Sequence, residues 1–238
     1  MALPQLSVKN FEVRQPSTGE KITLRPFLVS EEKILLQATE QPDTMIQAMK
    51  QVLTNCVVGQ EIDVDKLPAF DIEYLFLQLR SESVGATVDL MLLHKEGCER
   101  TEVQVNLREI KCVVNEKAEN EFMLDKKVGI RMRYPTMEMM GEFANIDEET
   151  ANQAEMSFEM LKRCIESIYT ADGEVHEVDK VSEEELNAFV DSMNSHQFQK
   201  VQAFFDDMPT VKHVIKVPKC VTCGMPFEQE VQGIQSFF

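Results

Sequence analysis

Two cysteines near the end of the sequence have the spacing of a metal-binding turn. Cys220 and Cys223 are separated by two residues and followed by Gly224. Two thiolates at this spacing can bind one tetrahedral ion, and the glycine permits a tight turn. The pair is only half of a zinc site. His213 is a candidate third ligand, although an alternating strand could point it away, and a fourth ligand would come from a remote residue or another subunit. Zinc and an unmetallated thiol pair remain alternatives.

The other cysteines do not form a motif of this kind. They are scattered singly, mostly among apolar neighbours, and we interpret them as small buried hydrophobic residues: Cys56, Cys98, Cys112 and Cys164. A thioredoxin-like redox role for Cys220 and Cys223 is disfavoured, because the pair does not stand at a helix start after a strand.

No catalytic constellation is recognisable in the sequence. The histidines are not grouped with a nucleophile or with carboxylates at ligand spacing: His94, His176, His196 and His213. No phosphate-binding glycine-rich loop and no G-x-S-x-G elbow occurs. The sequence therefore favours a protein that is not an enzyme.

The composition is that of a folded, acidic protein. The formal net charge is −17, with 43% hydrophobic and 27% charged residues. Phosphate repulsion makes nucleic acid and anionic membranes unfavourable partners. No apolar run approaches the length of a bilayer span, and the first residues lack the pattern of a signal peptide, which predicts residence in a cytoplasm. Residues 136–194 contain 16 acidic and 3 basic residues, which is either a solvated face or a docking surface for a basic partner.

The stretch Leu67–Gly85 is predicted to be the central helix. Its apolar residues cover almost every side, which is typical of a helix buried in a core. Strands that alternate polar and apolar residues precede and follow it. We therefore predict an α+β fold, in which residues 1–135 form a mixed domain of antiparallel strands around this buried helix.

The remaining sequence divides into two further sections. Residues 136–208 form an acidic section that is helical by pattern, with a capping box at Ser182 and Glu185. One apolar stripe in it has helical spacing: Ala151, Ala154, Phe158, Leu161, Ile165 and Ile168. Residues 209–238 form a hairpin whose tip is the cysteine pair, resembling a zinc knuckle. The two terminal aromatic residues, Phe237 and Phe238, either fold back on the core or bind a partner.

Several segments resemble one family of phage proteins. They are FEVRQPSTGEKITLRPFLVSEEKILLQATE near the start, DVDKLPAFDIEYLFLQLRSESVG in the central helix, and the Cys-x-x-Cys-Gly and Gly-x-x-x-Phe-Phe patterns at the end. These resemble the baseplate hub assembly proteins and hub subunits of T-even-type contractile tails, the gene product twenty-six family. The resemblance is strong over residues 1 to about 135 and the last 20 or so, and loose in the acidic section.

This resemblance implies a role in building the baseplate hub and no enzymatic activity. The main hypothesis is a chaperone-like assembly factor, a late protein that binds hub or tape-measure proteins, or another copy of itself, in the host cytoplasm. A permanent hub subunit in the virion baseplate is the first alternative. A zinc-knuckle binding module is the second, although the net charge disfavours nucleic acid as its ligand.

Overall fold

The fold is known from a computed structural model that describes residues 6–40, 44–115, 119–144 and 153–233. The chain divides into two compact units, one comprising Met1–Val113 with Pro209–Phe238 and the other Val114–Met208. This division differs from the three sections expected from the sequence. The C-terminal hairpin belongs to the first unit because its first strand pairs with a strand that ends at Val113. Strands between residues 121 and 132 belong to the second unit.

The first unit combines three helices with seven strands among its described residues. In chain order, the elements before the second unit are β1 (Phe11–Arg14), β2 (Lys21–Leu24), α1 (Val29–Thr39), α2 (Met45–Cys56), α3 (Ala69–Ser83), β3 (Thr87–Leu92), β4 (Thr101–Asn106) and β5 (Lys111–Val113). Two more strands follow the second unit, β10 (Thr210–Val217) and β11 (Phe227–Gln232), and their numbers leave room for the four strands of that unit. All pairings are antiparallel, in the sheets β1–β2, β3–β4 and β11–β10–β5. The predicted α+β class is confirmed.

Helix α3 is buried, as its apolar sequence predicts. Its side chains that are at most 4% exposed include Phe70, Ile72, Leu75, Phe76, Leu77 and Leu79. Leu77 joins a cluster that also contains Leu107 and Ile110, from the short connection between β4 and β5. The strands contribute Leu92, Val105, Val211, Ile215, Val217 and Val231. The β3–β4 hairpin and the β5–β10–β11 sheet therefore share one core with α3.

A buried carboxylate attaches the β1–β2 turn to α3. Asp71 lies in the first turn of the helix and accepts hydrogen bonds from Gln15 Nε2 (2.7 Å), the Ser17 amide (3.0 Å) and the Ser17 hydroxyl. Burial raises the pKa of Asp71, and the bonds from Ser17 and Gln15 oppose that rise. Asp71 thus fixes the position of a turn that lies 54 residues earlier in the chain.

A second buried carboxylate organises the start of α1. Glu31 accepts hydrogen bonds from Arg25 (3.0 Å), the Leu28 amide (2.8 Å) and the Ser30 hydroxyl (3.1 Å). Burial by itself would raise the pKa of Glu31. The Arg25 guanidinium and the other donors outweigh it and lower the pKa from 4.5 to about 2.

The second unit, Val114–Met208, has its own sheet and core. Its elements are β6 (Glu121–Met123), β7 (Val128–Met132), α4 (Met137–Ala144), α5 (Gln153–Cys164), β8 (Ile165–Thr170), β9 (Val175–Glu177), α6 (Glu183–Asp191) and α7 (Ser195–Asp206). The four strands are antiparallel in the order β6–β7–β8–β9. The predicted capping box opens α6, since Ser182 Oγ accepts from the Glu185 amide at 3.3 Å and Glu185 accepts from the Ser182 amide at 3.2 Å.

One predicted helix is shorter than its apolar stripe. Helix α5 ends at Cys164, and Ile165 and Ile168 lie in β8, where they pair with Met132 and Ile130 of β7. The reason is that the chain passes directly from helix to strand while apolar residues continue to reach the core, and β-branched residues such as isoleucine favour the strand. Residues 136–208 are therefore not wholly helical. Ala151 lies outside the described residues.

Truncation of a core aromatic tests the placement of α3. Phe76 is 1% exposed, so Phe76→Ala should lower the free energy of unfolding of the first unit by about 3–5 kcal/mol. Urea titration read by hydrogen exchange of α3 peptides measures this. Val84→Ala, at a site 64% exposed just after the helix, should change it little. Equal losses in the two variants would show that α3 is not the core helix.

The Glu31 cluster predicts a defined dependence of stability on pH. The pKa of Glu31 is lower in the folded state, so its stabilisation is complete above 4.5 and disappears as pH falls towards about 2. Glu31→Gln should lower the unfolding free energy by about 1–2 kcal/mol at neutral pH. The difference from the parent protein should shrink across that acid range. Glu32→Gln, at the exposed neighbouring position, is the control, and a difference for Glu31→Gln that stays constant down to pH 2 would contradict this account.

Candidate metal centre

Two hairpin turns of the first unit form the candidate site. The turn between β3 and β4 contains His94 and Cys98, separated by Lys95-Glu96-Gly97. The Cys98 amide donates to the Lys95 carbonyl at 3.1 Å, and Gly97 has a φ of +83°. A positive φ is readily adopted by glycine alone among common residues. The tight turn brings His94 and Cys98 to the same end of the hairpin.

The turn between β10 and β11 contains Cys220 and Cys223. The Gly224 amide donates to the Cys220 carbonyl and the Cys220 amide donates to the Met225 carbonyl, both at 2.9 Å. Gly224 has a φ of +73°, as the predicted role of this glycine requires. The two cysteine side chains therefore project from a single closed turn.

The two turns bring four potential ligand atoms together. The imidazole of His94 and the thiols of Cys98, Cys220 and Cys223 each offer one atom, and all four lie within 4.8 Å of one another. Cys223 Sγ is 3.3 Å from His94 Nδ1. Ligand bonds of about 2.0–2.3 Å to a tetrahedral zinc ion place neighbouring ligand atoms about 3.3–3.8 Å apart. The residues present therefore fit a metal ion.

Contacts around the ligands hold the two turns against each other. The Glu99 amide donates to Thr222 Oγ1 at 2.8 Å, and the Val221 amide donates to Thr101 Oγ1 at 3.3 Å. The ring of His94 stacks on Phe227 with a centroid distance of 4.7 Å and an interplanar angle of 15°. Phe227, which offers no ligand atom, thus helps to orient the ring of His94.

The thiols of the group differ in acidity. The backbone amide of Cys223, with further donation from Thr222 and His94, lowers the pKa of Cys220 to about 6 against the opposing effect of burial. Burial raises the pKa of Cys98 to about 11, and the neighbouring sulfurs of Cys220 and Cys223 reinforce that rise. A metal ion needs its cysteine ligands as thiolates, and its positive charge would oppose the rise in the pKa of Cys98.

The predicted site residues differ in where the structure places them. Cys220 and Cys223 belong to the group of four. His213 lies in β10 opposite Val231 and is not part of it. Phe237 and Phe238, the proposed partner-binding residues, lie outside the described residues.

His94 and Cys98 were not predicted as ligands. The interpretation of Cys98 as a small core residue is wrong because it lies in a turn beside His94 and the other two cysteines of the group. Cys56 and Cys164 are buried, and Cys112, half-buried like Cys98, packs against the core of the first unit. Burial raises the pKa of Cys56 to about 11 and of the other two core thiols to about 12. The sequence did contain one indication of these ligands. Gly97 marks a turn between two predicted strands, and His94 and Cys98 lie on either side of it.

Comparisons with known proteins give one informative match. The searches of curated proteins and of solved structures found no match to the chain. None of the described helices combines the length and the apolar character needed to cross a membrane. The family model described as T4 bacteriophage base plate protein matches residues 8–238, which is nearly the whole chain and includes all four residues of the candidate metal centre. The chain therefore belongs to the T4 bacteriophage base plate protein family.

Proposed function

We propose that the protein is a non-enzymatic assembly factor of the baseplate hub, which binds hub or tape-measure proteins in the host cytoplasm while the tail is built. The observation that carries this proposal is the family match over residues 8–238. The resemblance of the N-terminal segments to hub assembly proteins supports the narrower role. A chaperone-like factor needs a surface for its client and no reacting groups, which agrees with a sequence that has no recognisable catalytic motif.

The charge of the second unit supports a basic client surface. Acidic side chains between residues 172 and 185 are exposed to solvent: Asp172, Glu174, Glu177, Asp179, Glu183, Glu184 and Glu185. Charge complementarity chiefly increases the rate and the specificity of association. A factor that must bind and later release its client benefits from contacts of this kind, because exposed ion pairs contribute little free energy individually.

A permanent hub subunit is the second candidate function. It is favoured by the clusters of buried apolar residues that pack in both units, since a fixed component of a particle needs well-ordered surfaces. The two functions make different demands on stoichiometry. A subunit must be present in finished tails at constant copy number, whereas an assembly factor must leave.

Mass spectrometry of assembly intermediates and of purified mature tails distinguishes these functions. We expect the protein in hub intermediates and its loss from mature tails. Constant copy number in both would replace the assembly factor with a structural subunit. Normal baseplates in a phage that lacks the gene would contradict both roles.

The acidic surface can be tested in the same infection. Glu183→Gln with Glu184→Gln removes two exposed charges from the first turn of α6 and leaves the Ser182–Glu185 capping box intact. We expect less protein in hub intermediates. Glu20→Gln with Glu102→Gln, at exposed sites of the first unit, changes net charge equally and should have no effect. Equal effects of both pairs would argue against a docking surface on the second unit.

A further inference from the structure

We propose that His94, Cys98, Cys220 and Cys223 bind one zinc ion in a closed tetrahedral site that holds the two hairpin turns of the first unit together. This inference concerns the stability of the first unit and is independent of which role the protein has in hub assembly. It replaces the candidate ligand His213 with two residues from a turn more than a hundred positions earlier in the sequence.

The donor set selects the metal. Three thiolates and one imidazole are soft or borderline ligands, which suit zinc and disfavour magnesium and calcium, whose preferred ligands are oxygen atoms. Four protein ligands also fill the coordination shell of zinc. Catalytic zinc sites keep one position open for water or substrate, whereas sites with three cysteines and one histidine are structural. The geometry thus points to a structural ion.

The distances require only small movements on binding. The four ligand atoms lie within 4.8 Å of one another, and a zinc ion would bring the most distant of them closer by at most about 1 Å. Cys223 Sγ and His94 Nδ1, at 3.3 Å, are already near the separation that a shared ion imposes. The stacking of His94 on Phe227 holds the ring in place without using a ring nitrogen.

The fold provides a reason for an ion at this point. Among the described residues, no strand pairing joins the β3–β4 sheet to the β11–β10–β5 sheet. Apolar packing joins them in the core through side chains such as Leu92 and Val217, but the turns extend beyond that packing, and Lys95, Glu96, Val221 and Met225 are exposed. A two-stranded hairpin is marginally stable alone. The hydrogen bonds at Thr101 and Thr222 are weak constraints by comparison with four metal–ligand bonds.

Metal content of matched variants tests the ligand set. The full chain, purified without chelator, should contain about one zinc ion per chain, measured by inductively coupled plasma mass spectrometry. His94→Gln and Cys98→Ser should each weaken zinc binding at least about 100-fold in a competition with a chromophoric chelator. The controls are His213→Gln in β10 and Cys112→Ser in β5, a histidine and a half-buried cysteine of the same unit that should retain the ion.

Cobalt provides a spectroscopic readout of the ligand types, measured per bound ion. Cobalt(II) added to the metal-free chain should give visible bands of tetrahedral geometry and thiolate charge-transfer bands. At saturating cobalt, each of Cys98→Ser, Cys220→Ser and Cys223→Ser should reduce charge-transfer intensity per bound ion by about one third, because one of three thiolates is lost. Loss of the ion in His213→Gln with retention in His94→Gln would overturn the assignment. So would a metal-free purified chain with a disulfide among the three cysteines.

Hydrogen exchange tests the structural role. Removal of the ion by a chelator should increase amide exchange in β3–β4 and β10–β11 and leave β7–β8 of the second unit unchanged. An ion that is bound but whose removal leaves the two hairpins equally protected would show that it does not stabilise the unit, which would also overturn the proposal.

Discussion

The burial of α3 is the interaction on which the first unit depends. This helix contacts α2, β5 and β10, and burial of each of its large apolar side chains contributes about 1.5–3 kcal/mol. Because apolar residues lie on nearly all of its sides, α3 is unfavourable in water, and the other elements of the first unit must pack around it. Asp71 makes its position more specific. A carboxyl group in such a site must be hydrogen-bonded, and among the described residues Gln15 and Ser17 of the β1–β2 turn supply those bonds.

The second constraint is topological. The first unit is made from two separate stretches of chain, and the second unit is inserted between them. The insertion begins after Val113 and ends before Pro209, and Val113 of β5 is paired directly with Thr210 of β10. Adjacent strands can accept a long insertion between their ends because the two ends are already close together. The β5–β10 pairing thus allows one continuous chain to form two separate units. It also places the turn with Cys220 and Cys223 near the turn that contains His94.

The sequence predicted those features that depend on local periodicity or short-range chemistry. The apolar surface of α3, the hairpin ending in Cys220 and Cys223, and the capping box at Ser182 all lie within short windows, and the structure contains each of them. The apolar stripe from Ala151 to Ile168 predicted too long a helix. Apolar residues at helical spacing continue past Cys164, where α5 ends and β8 begins. His94 and Cys98 were missed for a different reason. Their role arises only when two turns far apart in sequence meet, and no local pattern records that meeting.

The insertion also has a consequence for the order in which the protein folds during synthesis. Residues 114–208 are contiguous, so the second unit can fold once they have left the ribosome. The first unit must wait for β10 and β11, which follow them. Until then α3 lacks its contacts with β10, and the turn that contains Cys98 lacks its partner. The second unit can therefore be folded while the first unit is still incomplete, and the first unit is completed when β10 and β11 pair with β5.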